Sequence, residues 1–263
     1  MKTRSPQIRI LTAGLISVAL FLIASTPTVS EPQTDRNSDT KSSPALRPDY
    51  EAFGEGAATK MEEVARSRKV VYSELADYLV RRFDLSEKTG VGIDIGGGPG
   101  DLIVHLAKRT RQYYWINADI NTWCVRPFTV NTLKENIAHR TGFVFADACA
   151  LPFRDNYADI AVSRGSYQFW PDLEKGMSEI LRVLRSGGVA FVGRGVAPTM
   201  PEAEVRKLAK AGRIGGPKYD PDKDAERFRD LMQKLGIPQF EVIRNIPEDP
   251  NLNYGVWLYF RKP

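Results

Sequence analysis

Eight residues, Asp94 to Asp101 (DIGGGPGD), constrain this chain more than any other stretch of its sequence. They close an apolar run, VGIDIG at 91–96, and lead into residues whose apolar side chains recur at helical spacing. A strand that breaks into glycines and then a helix lets backbone pass close to a ligand. The first turn of that helix also offers N–H groups with no intrahelical partner. Spacing narrows the reading. The dinucleotide fingerprint needs glycine at its first, third and sixth positions. Counted from Gly96, the third is Gly98 but the sixth is Asp101, so that pattern fails. No Gly-Lys-Ser/Thr follows, so a phosphate-binding P-loop fails too.

Strands and helices alternate from this point. Strand-like runs lie at 91–96, 113–120, 142–148, 158–163 and 187–193, with helical patterns at 100–110, about 123–139 and 172–185. One or two helices at 57–83 lead in, with Met61, Val64, Val71, Leu75 and Leu79 at helical spacing. Such alternation predicts parallel βαβ units in a three-layer α/β sandwich. Later, helical stretches near 201–211 and 222–235 flank a turn-rich RIGGPKYDPD. Two further runs, at 240–245 and 254–262, read as a closing hairpin that ends the sheet antiparallel.

The start of the chain stands apart. Residues 1–9 are basic, 10–24 are apolar and STPTVS follows, which is the layout of a secretory signal peptide cleavable after Ser25 or Ser30. An uncleaved membrane anchor fits the same pattern, although the run is shorter than a usual span of about 20 residues. Residues 31–48 hold only Ala45 and Leu46 as apolar side chains and read as a disordered linker. The globular domain is therefore expected over 49–263, exported or periplasmic, or tethered to the membrane through its N-terminal segment. The net charge of +5 follows largely from that segment. Without Lys2, Arg4 and Arg9 the count is 34 basic against 32 acidic residues, which argues against nucleic acid as a partner. Cys124 and Cys149 are read as two unpaired thiols in core structure, and His105 and His139 are too few for a His-rich metal site.

The glycine turn has a second spacing that does fit. Asp94, Gly96, Gly98 and Gly100 follow the acidic-x-Gly-x-Gly-x-Gly pattern, and here the chain resembles the class I S-adenosylmethionine-dependent methyltransferases. Four more segments match in order: Asp119-Ile120, Asp147-Ala148, ALPFRDNYAD at 150–159, and EILRVLRSGGVAFVG at 179–193. The local style is similar to the quinone-biosynthesis methyltransferases, which act on small molecules. The resemblance implies a Rossmann-like, mostly parallel seven-stranded sheet with an antiparallel final strand, and S-adenosyl-L-methionine as cofactor. It assigns the cofactor to Asp94, Gly96, Gly97, Gly98, Gly100, Asp119, Ile120, Asp147 and Ala148. Within that set Asp119 would receive the ribose hydroxyls, since one carboxylate can accept from both.

Acceptor residues are less marked. Arg164, Ser166 and Tyr167 follow the fourth strand, at the sheet edge where ligands of such folds bind. Arg164 is a candidate clamp for a carboxylate or phosphate, and Tyr167 a candidate hydrogen-bond donor to the acceptor. Ordinary loop packing is the competing reading for both. The overall expectation is in-line methyl transfer to a small-molecule acceptor. The alternative is an exported ligand-binding module on the same scaffold, without transfer activity.

Overall fold

Residue patterning carries over into the computed structural model, which describes residues 54–211, 220–245, 249 and 252–263. The expected signal or anchor, the linker and the start of the domain lie outside the described residues, as does most of RIGGPKYDPD. Two helices enter, α1 (Glu55–Ser67) and α2 (Lys69–Phe83). Then follow β1 (Gly90–Ile95), α3 (Asp101–Arg109), β2 (Tyr113–Asp119), α4 (Val125–Lys134), β3 (Thr141–Phe145) and β4 (Ala158–Arg164). The chain continues with α5 (Leu173–Val183), β5 (Leu184–Gly195), α6 (Glu202–Lys210), α7 (Pro221–Lys234), β6 (Phe240–Ile243) and β7 (Gly255–Arg261).

The seven strands form one sheet in the order β3-β2-β1-β4-β5-β7-β6. All neighbouring pairs are parallel except those of β7, which runs antiparallel to β5 and to β6. The expected seven-stranded sheet with an antiparallel final strand is therefore present. β7 slots between β5 and β6, so the hairpin folds back into the sheet instead of merely extending its edge.

Alternation along each strand makes two cores. Trp115, Val162, Phe191 and Trp257 face α2, α3 and α6. Ile93, Ile116, Ala190, Val192 and Phe260 face α5 and α7 on the other side. Gly92 is required where it stands: a Cβ there would fall 2.3 Å from the Trp115 ring. Asp94 lies two residues further along the same face, which brings its carboxyl to the α2–α3 side at the strand's carboxyl end.

Some boundaries differ from the periodicity. The helix expected to run to 139 stops at Lys134, and Asn136 adopts φ +55°, a left-handed turn that continues no helix. β3 ends at Phe145, because Asp147 folds back on itself through the Ala150 amide and a bridge to Ala150. At α7, Asp220 caps the amides of Asp222 and Lys223 and Pro221 takes the first turn, where its missing N–H costs nothing. Among the described residues no helix is long and apolar enough to cross a membrane. Among the described residues neither cysteine is in a disulfide and both are buried, as expected.

Candidate functional site

β1 ends in a turn that only glycine-rich sequence can make. Gly98 and Gly100 adopt φ of +54° and +83°. At Gly100 a Cβ would strike the Phe128 ring at 2.3 Å, so the start of α3 packs directly on α4. At Gly98 the nearest atom a Cβ would meet is Met61 Sδ at 3.6 Å, so space is open there. α3 begins without a side-chain cap, which leaves its first N–H groups to other partners.

β2 holds the turn in place. Asp119 Oδ2 accepts from the Gly98 amide at 2.7 Å, and Oδ1 accepts from the Asn121 amide at 2.7 Å. Two residues earlier on the same face, Asn117 Nδ2 donates to the Gly98 carbonyl at 2.8 Å. Asn117 Oδ1 is buried and has no hydrogen-bond partner. A Cβ on Gly97 would fall 2.5 Å from that oxygen and 2.7 Å from Asp94 Oδ2. An orphaned acceptor, a buried acid and a backbone cradle thus meet at one point. Those acceptors suit a small ligand carrying hydroxyl or ammonium donors, so the residues present fit the cofactor the sequence implies.

The electrostatics are unusual at Asp94. Burial, and then the neighbouring Asp119, push its carboxyl up to about 8, while Arg164 works the other way. Asp119 is also raised by burial, against the pull of its backbone donors. A cation brought beside Asp94 would draw it into the charged form.

A cavity of about 640 Å³ opens over this turn. Its floor is Asp94 and Gly96–Gly98, and its wall from α1 and α2 includes Met61, Val64 and Tyr72, with Arg68 at the junction between them. The ends of β4 and β5 add Arg164 and Arg194. Arg164 Nε donates to the Gly195 carbonyl at 3.1 Å, and its guanidinium lies 4.7 Å from the centre of the Tyr72 ring. This places Arg164 on the cavity, as the sequence suggested.

Tyr167 is not brought there. It is buried against α7, donating to Asp224 at 2.5 Å with its ring 5.1 Å from that of Phe228. The competing reading, ordinary packing of the loop, describes its position. Ser166 ties the β4 end to β1 by donating to the Ile95 carbonyl at 2.9 Å. Asp147 lies in the turn after β3, where Oδ1 accepts from the Cys149 amide, and neither it nor buried Ala148 lines the cavity. Ile120, half-buried, directly follows Asp119 at the β2 end. Sequence reasoning missed Arg68 and Arg194. One signal existed: Met61, Val64, Arg68 and Tyr72 recur at steps of three and four, placing an arginine within a cavity-facing stripe.

Residues 93–192 match the methyltransferase domain family. The chain is 32% identical over 126 residues to the 2-methyl-6-phytyl-1,4-hydroquinone methyltransferase of Arabidopsis thaliana chloroplasts, covering 48% of this chain and 36% of that protein. It spans about a third of the length of that relative and its spinach counterpart. It is 26% identical over 235 residues to the ubiquinone/menaquinone biosynthesis C-methyltransferase of Vibrio parahaemolyticus, covering 80% of this chain and 88% of the other. Among solved structures, one from Methanococcus maripaludis described as an S-adenosyl-L-methionine-dependent methyltransferase superposes with TM-score 0.67 at 26% identity. That match covers 86% of this chain and 97% of the other. On the glycine turn, the strand order with its antiparallel β7, and these likenesses together, the chain carries a methyltransferase domain over residues 93–192 and resembles the class I S-adenosylmethionine-dependent methyltransferases.

Proposed function

We propose that this protein transfers a methyl group from S-adenosylmethionine to a small-molecule acceptor bound in the cavity over the β1–α3 turn. The observation that carries the reading is the juxtaposition of that turn with the cavity: Gly98 opens onto it while Asp119 and Asn117 hold the turn from below. Asp94, the glycines, Asp119 and Ile120 are the residues that would hold the cofactor, with Asp147 and Ala148 at its adenine end. Bound there, S-adenosylmethionine supplies an electrophilic methyl carbon, and displacement at it leaves a neutral thioether.

The chain's own work is alignment and exclusion of water. Asp94, drawn into its charged form, would face the cofactor's cationic end. Met61, Val64 and Tyr72 of α1 and α2 line the cavity wall and would help keep water from the reacting centre. Arg164, fixed by Gly195 and Tyr72, would orient the acceptor. The hydroquinone and menaquinone names of the relatives support a small, electron-rich acceptor. Incubating the full chain with methyl-labelled S-adenosylmethionine and a panel of phenols and hydroquinones tests this. Label in an acceptor supports transfer. Tight cofactor binding with no label transferred to any of them would point to the non-catalytic binding module.

Residues 1–30 act, in this proposal, as a signal peptide or membrane anchor, with 31–48 as the tether. The basic start, apolar centre and small-residue end support it. A mature N-terminus near Ser25 or Ser30 would establish cleavage, and an intact chain in the membrane fraction would establish an anchor. Full-length chain in the cytosolic fraction would contradict both.

A further inference from the structure

Three arginines from distant parts of the sequence converge on one cavity. Arg68 sits at the α1–α2 junction, Arg164 ends β4 and Arg194 lies near the end of β5. Their proximity is visible in their electrostatics: burial, then Arg164 and also Arg194, depress the Arg68 guanidinium below its ordinary value. Arg68 Nε is buried without a hydrogen-bond partner. Among the described residues, no carboxylate forms an ion pair with Arg68 or Arg164. Among the described residues Asp94 is the one carboxyl lining the cavity, and it is largely neutral at pH 7.

Confining the Arg68 and Arg164 guanidinium groups together, partly out of water and without a carboxylate ion pair among the described residues, costs stability. Such an arrangement persists where an oxyanion supplies the missing charge and acceptors, because the guanidinium fork matches carboxylate and phosphate geometry. We infer that the acceptor carries an anionic group, a carboxylate or phosphate, held by Arg68 and Arg164 with Arg194 completing the cationic wall. The inference rests on the proposed methyl transfer and narrows its substrate class. It sets this chain apart from relatives named for a hydroquinone that bears no charged group at neutral pH. Tyr72 fits the same role, since the Arg164 guanidinium lies over its ring, 4.7 Å from the centre.

One oxyanion could come from the cofactor itself, whose methionine end bears a carboxylate. Two arms separate the sources. The full chain is first titrated with S-adenosylhomocysteine. The loaded protein is then titrated with phenyl phosphate and benzoate, with benzyl alcohol as the uncharged counterpart, at matched ionic strength. Saturable binding of an anion but not of benzyl alcohol is expected, weakened at least about tenfold in Arg68→Gln and Arg164→Gln. Both variants should keep their S-adenosylhomocysteine affinity within about threefold, and Arg68→Lys should recover part of the anion affinity. Circular dichroism establishes that each variant is folded, and Arg164→Gln, which leaves the helix junction untouched, carries the test if Arg68→Gln is not.

Loaded protein that binds none of the anions would overturn the inference and leave methyl transfer standing. So would variants that lose S-adenosylhomocysteine instead, which would assign the arginines to the cofactor's carboxylate. Folded protein that fails to bind S-adenosylhomocysteine would overturn the underlying reading and the inference with it.

Discussion

Asp119 at the end of β2 accepts the amide of Gly98 through Oδ2, 2.7 Å away, so the acid and the open point of the glycine turn form one unit. Its other oxygen accepts the Asn121 amide. Replacing Asp119 with Ala would orphan two backbone donors in a buried place. The expected cost is about 2–4 kcal/mol in chemical denaturation, together with at least about a tenfold loss of cofactor affinity. Asp119→Asn, which keeps an acceptor, should recover part of the stability. Unchanged stability in Asp119→Ala would contradict the anchoring role.

Gly98 and Gly100 are expected to separate binding from folding. Gly100→Ala places a methyl 2.3 Å from the Phe128 ring at φ +83° and should lower stability by more than about 2 kcal/mol. Gly98→Ala meets nothing closer than 3.6 Å, so only the left-handed backbone penalises it, by about 1 kcal/mol. Its methyl projects where the cofactor would lie, so cofactor affinity should fall far more than stability. Thermal melts and titration on both variants check the contrast.

Asp94 makes the protein pH-dependent in two opposite ways. Its carboxyl, raised to about 8, holds a proton in the folded chain that the unfolded chain has lost, so stability falls as pH rises between about 4 and 8. Asp101, lifted to about 6 by burial, adds in the same direction over the lower part of that window. A cationic cofactor favours the ionised carboxylate, so its affinity should rise with pH from about 6 to about 9. Asp94→Asn is expected to be the more stable cofactor-free protein at pH 8. It should also bind the cofactor weakly, with a flattened pH profile.

Arg182 is expected to matter for folding and not for binding. It pairs with Glu179 and Asp155 and donates to the carbonyls of Leu151 and Phe153. Arg182→Ala should cost about 2 kcal/mol in denaturation while cofactor affinity stays within about threefold. A large affinity loss would show that the 150–159 segment shapes the site directly.

That network also explains what the sequence could and could not say. ALPFRDNYAD pointed to the family, yet its own side chains are spent on structure: Asp159 accepts the Val91 amide at 2.6 Å and pairs with Arg185. The turn from Asp94 to Asp101 was readable because its chemistry is local, glycines and an acid at fixed spacing. The strand alternation was readable for the same reason. Tyr167 was not. Its neighbours in sequence are cavity residues, but the short helical turn Tyr167–Phe169 swings it toward Asp224, 57 residues away. Arg68 and Arg194 become neighbours only when β5 and the α1–α2 junction meet above the sheet. Contacts of that kind depend on packing across the chain, which no spacing rule records.

In this proposal the cavity over the β1–α3 turn binds S-adenosylmethionine. Calorimetric titration of the full chain with S-adenosylmethionine and S-adenosylhomocysteine tests it most directly. Saturable binding of both is expected, lost in Gly98→Ala while that variant keeps its fold. A folded protein that binds neither at millimolar ligand would contradict it.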